Sequence, residues 1–124
     1  MLGAAKVVAF VPTRDAARAR AFYEGVLGLR CVGADPFATV FDAGGTMLRV
    51  VNVPDFSPAP FAVLGWDVPD AEEAARGLRA RGVALERFPG MDQDALGIWT
   101  SPAGGRIAWF RDPDGNVLSI TQFP

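Results

Sequence analysis

The 124-residue chain contains no histidine and a single cysteine, Cys31. Histidine is the commonest general base and the commonest transition-metal ligand, so Ser-His-Asp and Cys-His catalysis are both excluded. The sequence also has no Gly-x-Ser-x-Gly elbow, no glycine-rich phosphate loop and no paired-cysteine zinc motif. A short set of chemically capable residues is left. Carboxylates such as Asp42 and Asp67 are candidates for acid/base work, although nothing in the sequence singles them out. Arg49, set between Leu48 and Val50, has two readings. It could anchor a ligand carboxylate or phosphate through its planar fork of donors. The plainer reading is a salt bridge to Asp67, Asp42 or another acid, because an unpaired inward arginine is costly. Trp66, Trp99 and Trp109 are candidate stacking platforms. Trp66 alternates with Gly65 and Asp67 and reads as core, whereas Trp99 stays open. Tyr23 sits on an apolar helix stripe and reads as packing. Cys31, among Leu29 and Val32, reads as a buried structural thiol.

These residues need elements to hold them, and the composition suffices to build them. Half of the residues are apolar and the formal net charge is −2. No basic run gives the footprint of a nucleic-acid binder. The apolar stretches are too short to span a bilayer. Met1 to Val11 carries one lysine and no cleavage-type pattern, so no signal peptide is expected. One cysteine rules out an intrachain disulfide framework and fits a reducing cytoplasm.

Lys6 to Val11 reads as a buried strand, and Asp15 as the N-cap of a helix. That helix has its apolar stripe at Ala19, Phe22, Tyr23, Val26 and Leu27, and ends at Gly28. Leu29–Val32, Phe37–Asp42 and Thr46–Val51 read as strands. Asn52 to Pro60, with three prolines, reads as a linker. The pattern then restarts. Phe61–Val68 is an expected strand, and Asp70 and Glu73 have capping-box spacing. Ala71, Ala74, Ala75 and Leu78 make a second stripe, ended by Gly82. Val83–Phe88 reads as a strand and 89–96 as a loop, either solvated or acting as a lid. Gly97–Thr100 and Arg106–Arg111 read as a hairpin, and Val117–Gln122 as the last strand. The helix caps recur 55 residues apart and the helix-ending glycines 54 apart, a spacing that argues for internal duplication. The expectation is an α+β fold of tandem βαβββ modules: 1–52, a linker 53–60, and 61–124. Curved mixed sheets would enclose a cleft.

Three segments carry a family resemblance. They are Asp15 to Leu29 with its Phe22-Tyr23 pair and Leu27-Gly28 end, Gly65 to Ala74, and Trp109 to Asn116 with its Asp112-Pro113-Asp114-Gly115 turn. In this order the chain resembles the vicinal oxygen chelate superfamily. That superfamily includes glyoxalase I, extradiol dioxygenases, fosfomycin-resistance transferases and bleomycin-binding resistance proteins. The resemblance places the family's metal-ligand positions at Val8, Arg49, Val63 and Ser119. None of these is a usual ligand, so no metal and no cofactor are expected.

Strand parity around those positions then brings Phe10, Met47, Arg49, Trp109, Val117, Ser119 and Thr121 to the cleft, with Asp67 beside them. Such a wall suits a small aromatic or amphipathic molecule. The resulting expectation is a metal-free, sequestering binding protein similar to the bleomycin-resistance type. It would be cytoplasmic and homodimeric, with neither nucleic acid nor membrane as partner. The alternatives are a metal-independent lyase or isomerase, and a domain whose cleft is closed by side chains.

Overall fold

The computed structural model describes residues 1–124. Two compact units, Met1–Ser57 and Pro58–Pro124, each carry one module. In the first, β1 (Val8–Thr13) leads into α1 (Ala16–Arg20), which continues as a π-helix over Ala21–Val26. Strands β2 (Arg30–Ala34), β3 (Ala38–Ala43) and β4 (Thr46–Asn52) follow. In the second, β5 (Ala62–Asp67) precedes α2 (Ala71–Ala80), then β6 (Trp99–Thr100), β7 (Arg106–Arg111) and β8 (Val117–Gln122). The sheet orders are β1-β4-β3-β2 and β5-β8-β7-β6. In each, the first strand runs parallel to the last and the remaining pairings are antiparallel. This is the repeated βαβββ architecture with mixed sheets.

The helix starts follow from their caps. Asp15 and Asp70 hold extended backbone, and their side chains accept from the N–H groups of Arg18 and Glu73 at 3.0 and 3.1 Å, satisfying donors that have no intrahelical partner. Gly82 ends α2 at φ 83°, a left-handed conformation that costs glycine little. Each helix covers one sheet face. In the first module Val11, Tyr23, Phe41, Leu48 and Val50 are fully enclosed, and Tyr23 packs against Phe41 with ring centroids 5.9 Å apart. In the second, Ala71, Ala75, Ala108, Phe110 and Leu118 fill the corresponding layer. There the Gln122 side chain accepts from Ala71 N–H at 2.9 Å, tying β8 to the start of α2. No helix is long and apolar enough to cross a membrane.

Several expected boundaries shift. β1 begins two residues later and runs through Pro12 to Thr13. β2 continues through the expected turn at Gly33, with a register irregularity between Cys31 and Gly33. Cys31 is half-buried, not enclosed. The first helix widens after Arg20, with Leu27 N–H donating five residues back to Phe22 O at 2.9 Å. The linker is pinned at its start: Val53 N–H donates to Thr13 O, and the Arg14 guanidinium lies 4.0 Å over the Phe56 ring.

Val83–Phe88 does not form the expected strand. It makes one bridge, Leu85 to Phe110, and one bond from Glu86 N–H to Trp109 O at 2.8 Å. The outer edge of β7 is already taken at Arg106 and Ile107 by β6. Beyond the Glu86 N–H the backbone bonds to a side chain instead: Glu86 O and Phe88 N–H both pair with the carboxamide of Gln93.

Candidate functional site

Alternation sends the helix-facing residues of each sheet to one side and leaves a second, open side. In the first module the open side carries Val8, Phe10, Met47 and Arg49. Val8 is in register with Met47 and Phe10 with Arg49. Phe10 is 62 % exposed and Met47 45 %. The Arg49 guanidinium pairs with Asp35 of its own module, at 3.8 Å, and not with Asp42. The Asp35 carboxylate also accepts from Phe37 and Ala38 N–H at 2.7 and 2.9 Å. Those backbone bonds, aided by Arg49, hold it below the usual carboxylate range. Asp42 is depressed likewise, first by the Gly45 N–H at 2.8 Å and then by Arg30 at 3.1 Å. It serves as a turn anchor, and a carboxyl held ionised is a poor proton donor.

In the second module two rows cross the open side. One runs Gly65–Ser119–Trp109 and the other Asp67–Thr121–Ile107. A Cβ on Gly65 would fall 2.6 Å from Ser119 Oγ, so the bare glycine makes room for that hydroxyl. Ser119, Thr121 and Trp109 are half-buried and Asp67 is exposed. Val117, expected on this wall, is only 4 % exposed and belongs to the packed interior.

Trp109 sits in an aromatic group. Phe88 meets it edge to face at 5.5 Å, and Trp99 lies 6.4 Å away at a tilt. Trp66 instead stacks on the buried Phe110 on the helix side of the sheet, and is itself half-buried, not enclosed as the sequence suggests. Trp99 therefore joins Trp109, a point that the sequence leaves open.

The group is held by a residue that the sequence reading missed. Gln93 Oε1 accepts from Phe88 N–H at 2.8 Å, while its Nε2 donates to Glu86 O at 2.9 Å and Gly97 O at 2.8 Å. Its backbone bridges Trp99. Asp94 accepts from Leu96 and Ile98 N–H, both at 2.9 Å. The segment 89–96 is thus a braced loop. Its signal in the sequence was weak, since glutamine in a polar loop is ordinary.

The Asp112-Pro113-Asp114-Gly115 turn is structural. Asp112 Oδ1 accepts from Asp114 and Asn116 N–H, and Asn116 Nδ2 donates to Asp112 Oδ2 at 2.8 Å. Gly115 supplies the positive φ of 88°.

Family members that use a metal need several N, O or S donors together. The matched positions Val8, Arg49, Val63 and Ser119 offer one hydroxyl and no carboxylate or imidazole. No group of three or more His, Cys, Asp or Glu side chains is placed to hold an ion. Every buried side-chain nitrogen and oxygen already has a hydrogen-bond partner. This donor set does not fit a divalent metal.

A family model, Glyoxalase/Bleomycin resistance protein/Dioxygenase superfamily, matches residues 5–120. No curated protein matches the chain by sequence. Among solved structures, a bleomycin resistance determinant encoded on the transposon Tn5 superposes with TM-score 0.75 at 26 % identity, covering 95 % of this chain and 97 % of that one. A lactoylglutathione lyase from Agrobacterium tumefaciens gives TM-score 0.75 at 19 % identity, with coverage of 97 % and 95 %. A bleomycin-binding protein complexed with bleomycin gives 0.72 at 24 % identity, with coverage of 96 % and 98 %. The last two are similar in fold alone.

Proposed function

This chain belongs to the Glyoxalase/Bleomycin resistance protein/Dioxygenase superfamily, and from that premise we propose that it is a metal-free binding protein for a small aromatic or amphipathic molecule. The observation that carries the reading is the Phe88–Trp99–Trp109 group, half-buried on an open sheet face and braced from behind by Gln93. Aromatic side chains on a rigid support give a flat ligand contact area at little entropic cost. Sequestration then follows by mass action, since bound ligand is removed from the free pool. The likeness to a bleomycin resistance determinant supports the same role. Metal chemistry is unsupported by the donor set. The enzymatic alternative, a metal-independent lyase or isomerase, has less to stand on: Asp42, one of its two candidate carboxylates, is tied to Gly45 and Arg30. In this reading the protein works as a cytoplasmic homodimer.

A small-molecule screen with mass-spectrometric readout, followed by tryptophan-fluorescence titration of the hits, tests the proposal. A bound aromatic ligand should quench the signal, and Trp109→Ala should weaken binding by about 1–3 kcal/mol, the scale for losing an aromatic anchor. If Trp109→Ala instead costs about 3–5 kcal/mol of folding stability and no ligand protects against unfolding, Trp109 is packing only. Turnover of a bound compound would favour the enzyme, and about one tightly bound metal per chain would overturn the metal-free part.

A further inference from the structure

Each module has a capping aspartate, a covering helix, a glycine that ends it and a strand with a buried phenylalanine, so the two can be compared landmark by landmark. Up to the last turn of each helix the spacing agrees. Tyr23 follows Asp15 by 8 residues, and Leu78 follows Asp70 by 8. Each then gives its carbonyl to the bond that closes the helix: Leu29 N–H donates to Tyr23 O at 2.9 Å, and Val83 N–H to Leu78 O at 3.0 Å. After the helix the spacing agrees again. Cys31, three residues past Gly28, lies opposite Phe41, and Leu85, three past Gly82, lies opposite Phe110. Those phenylalanines are equivalent in turn, both buried, with Leu48 and Leu118 opposite them on the next strand. Only between these anchors do the modules differ. The closing bond spans five residues in the second module and six in the first. Five is the ordinary span for a helix that ends on a left-handed glycine. The π-helical turn, Ala21–Val26, falls at the place of the difference, whereas α2 is α-helical throughout.

A π turn closes each hydrogen bond around one more residue than an α turn, so it absorbs a surplus of one. We infer that the stretch from Glu24 to Leu27 holds a single inserted residue, and that the π turn is a slack joint built around it. The joint takes up the extra length inside the helix. Tyr23 keeps its seat against Phe41, and β2 still meets β3 in the register that the second module starts to repeat. The strands that carry the open side are thereby insulated from a change in helix length. Glu24 and Gly25 are exposed, and nothing lies within 4 Å of the point where a side chain on Gly25 would begin. A residue can therefore leave at this point without opening a cavity.

Three length variants of the full chain test the joint, each followed by thermal unfolding and by NMR couplings across hydrogen bonds. Deletion of Gly25 should leave the unfolding midpoint within about 5 °C of the wild type. Leu29 N–H should stay bonded to Tyr23 O, now across the shorter span found in α2, and Cys31 should stay opposite Phe41. Deletion of Arg76, an exposed residue of α2, is the matched control. That helix has no slack, and loss of a residue turns every later side chain by about 100°. Its midpoint should fall by more than about 10 °C. A glycine inserted between Arg79 and Ala80 should give α2 a π turn of its own, with Val83 N–H still bonded to Leu78 O and Leu85 still opposite Phe110. A Gly25 deletion that unfolds the chain, or costs as much as the Arg76 deletion, overturns the inference. So does equal tolerance of the two deletions, because the first helix would then hold no special slack. A move of Leu29 N–H to another carbonyl, a slip of β2 along β3, or a shift of Leu85 off Phe110 in the insertion variant would show that the extra length passes into the sheet, and overturns it as well.

Discussion

At the scale of single residues, the aromatic group depends on a neutral amide. Gln93 makes three bonds to backbone groups of residues 86, 88 and 97, and these are the segments that carry Phe88 and lead into Trp99. Removing the carboxamide strands one N–H and two carbonyls in a half-buried loop. Leaving such groups unpaired costs about 1–3 kcal/mol. Gln93→Ala should therefore lower the urea midpoint by that amount and weaken the near-ultraviolet circular dichroism of the tryptophans. Gln93→Glu keeps the acceptor for Phe88 N–H but sets a carboxylate against two carbonyls, so it should rescue little. Unchanged stability and an unchanged aromatic spectrum in both variants would show that the loop holds its shape without the brace. Arg49 teaches a related lesson. The sequence marks it as a residue that needs an acidic partner, and it has one, Asp35 in the β2–β3 turn.

At the scale of elements, legibility followed locality. Asp15 and Asp70 were readable as caps because an N-cap bond spans three residues, and Gly82 as a helix end because a left-handed position favours glycine. The two sheets were readable from alternation. The 83–88 segment was not, because its fate is decided by competition for the edge of β7 with Trp99–Thr100, which lie far along the chain. The widened turn over Ala21–Val26 was also hidden, since Ala19 and Tyr23 fall on one face under either helical period. Of the candidate site, the strand residues were accessible to parity. Phe88 and Gln93 were not, because their positions come from a loop. Turn chemistry also gives the sheet of the first module a pH dependence. Asp35 and Asp42 accept backbone N–H bonds that exist only when β2, β3 and β4 are assembled, and both carboxyls are depressed in the fold. A depressed acid contributes stability that is fully present above its unfolded value, about 3.9, and is lost as pH falls through the folded value. Urea midpoints should thus be flat from pH 7 to 5 and fall below about pH 4. Asp42→Asn, which keeps an acceptor for Gly45 N–H, should flatten part of that fall. An identical acid slope in wild type and variant would assign the effect to other carboxyls.

At the scale of the whole molecule, the open sides leave more apolar surface in water than an isolated small chain usually tolerates. In the first module Phe10 is 62 % exposed, Met47 45 % and Val8 40 %, on the neighbouring strands β1 and β4. Contiguous exposed apolar side chains mark surfaces that bind something, and a small ligand on the second module would not cover those of the first. A second copy of the chain would, and the commonest arrangement is an isologous two-fold pair. A standard interface removes about 800 Å² from each partner, roughly a tenth of the 7393 Å² that the chain exposes. Sedimentation velocity at micromolar concentration should therefore show a species of twice the 13.2 kDa chain mass. Its thermal midpoint should rise with protein concentration, because dissociation is coupled to unfolding. A Phe10→Lys change, which places a charge on an exposed strand position without touching the helix-side core, should shift the equilibrium towards the single chain while leaving secondary structure intact. A single-chain species at every concentration, with a midpoint independent of concentration, would show that these faces stay uncovered in solution.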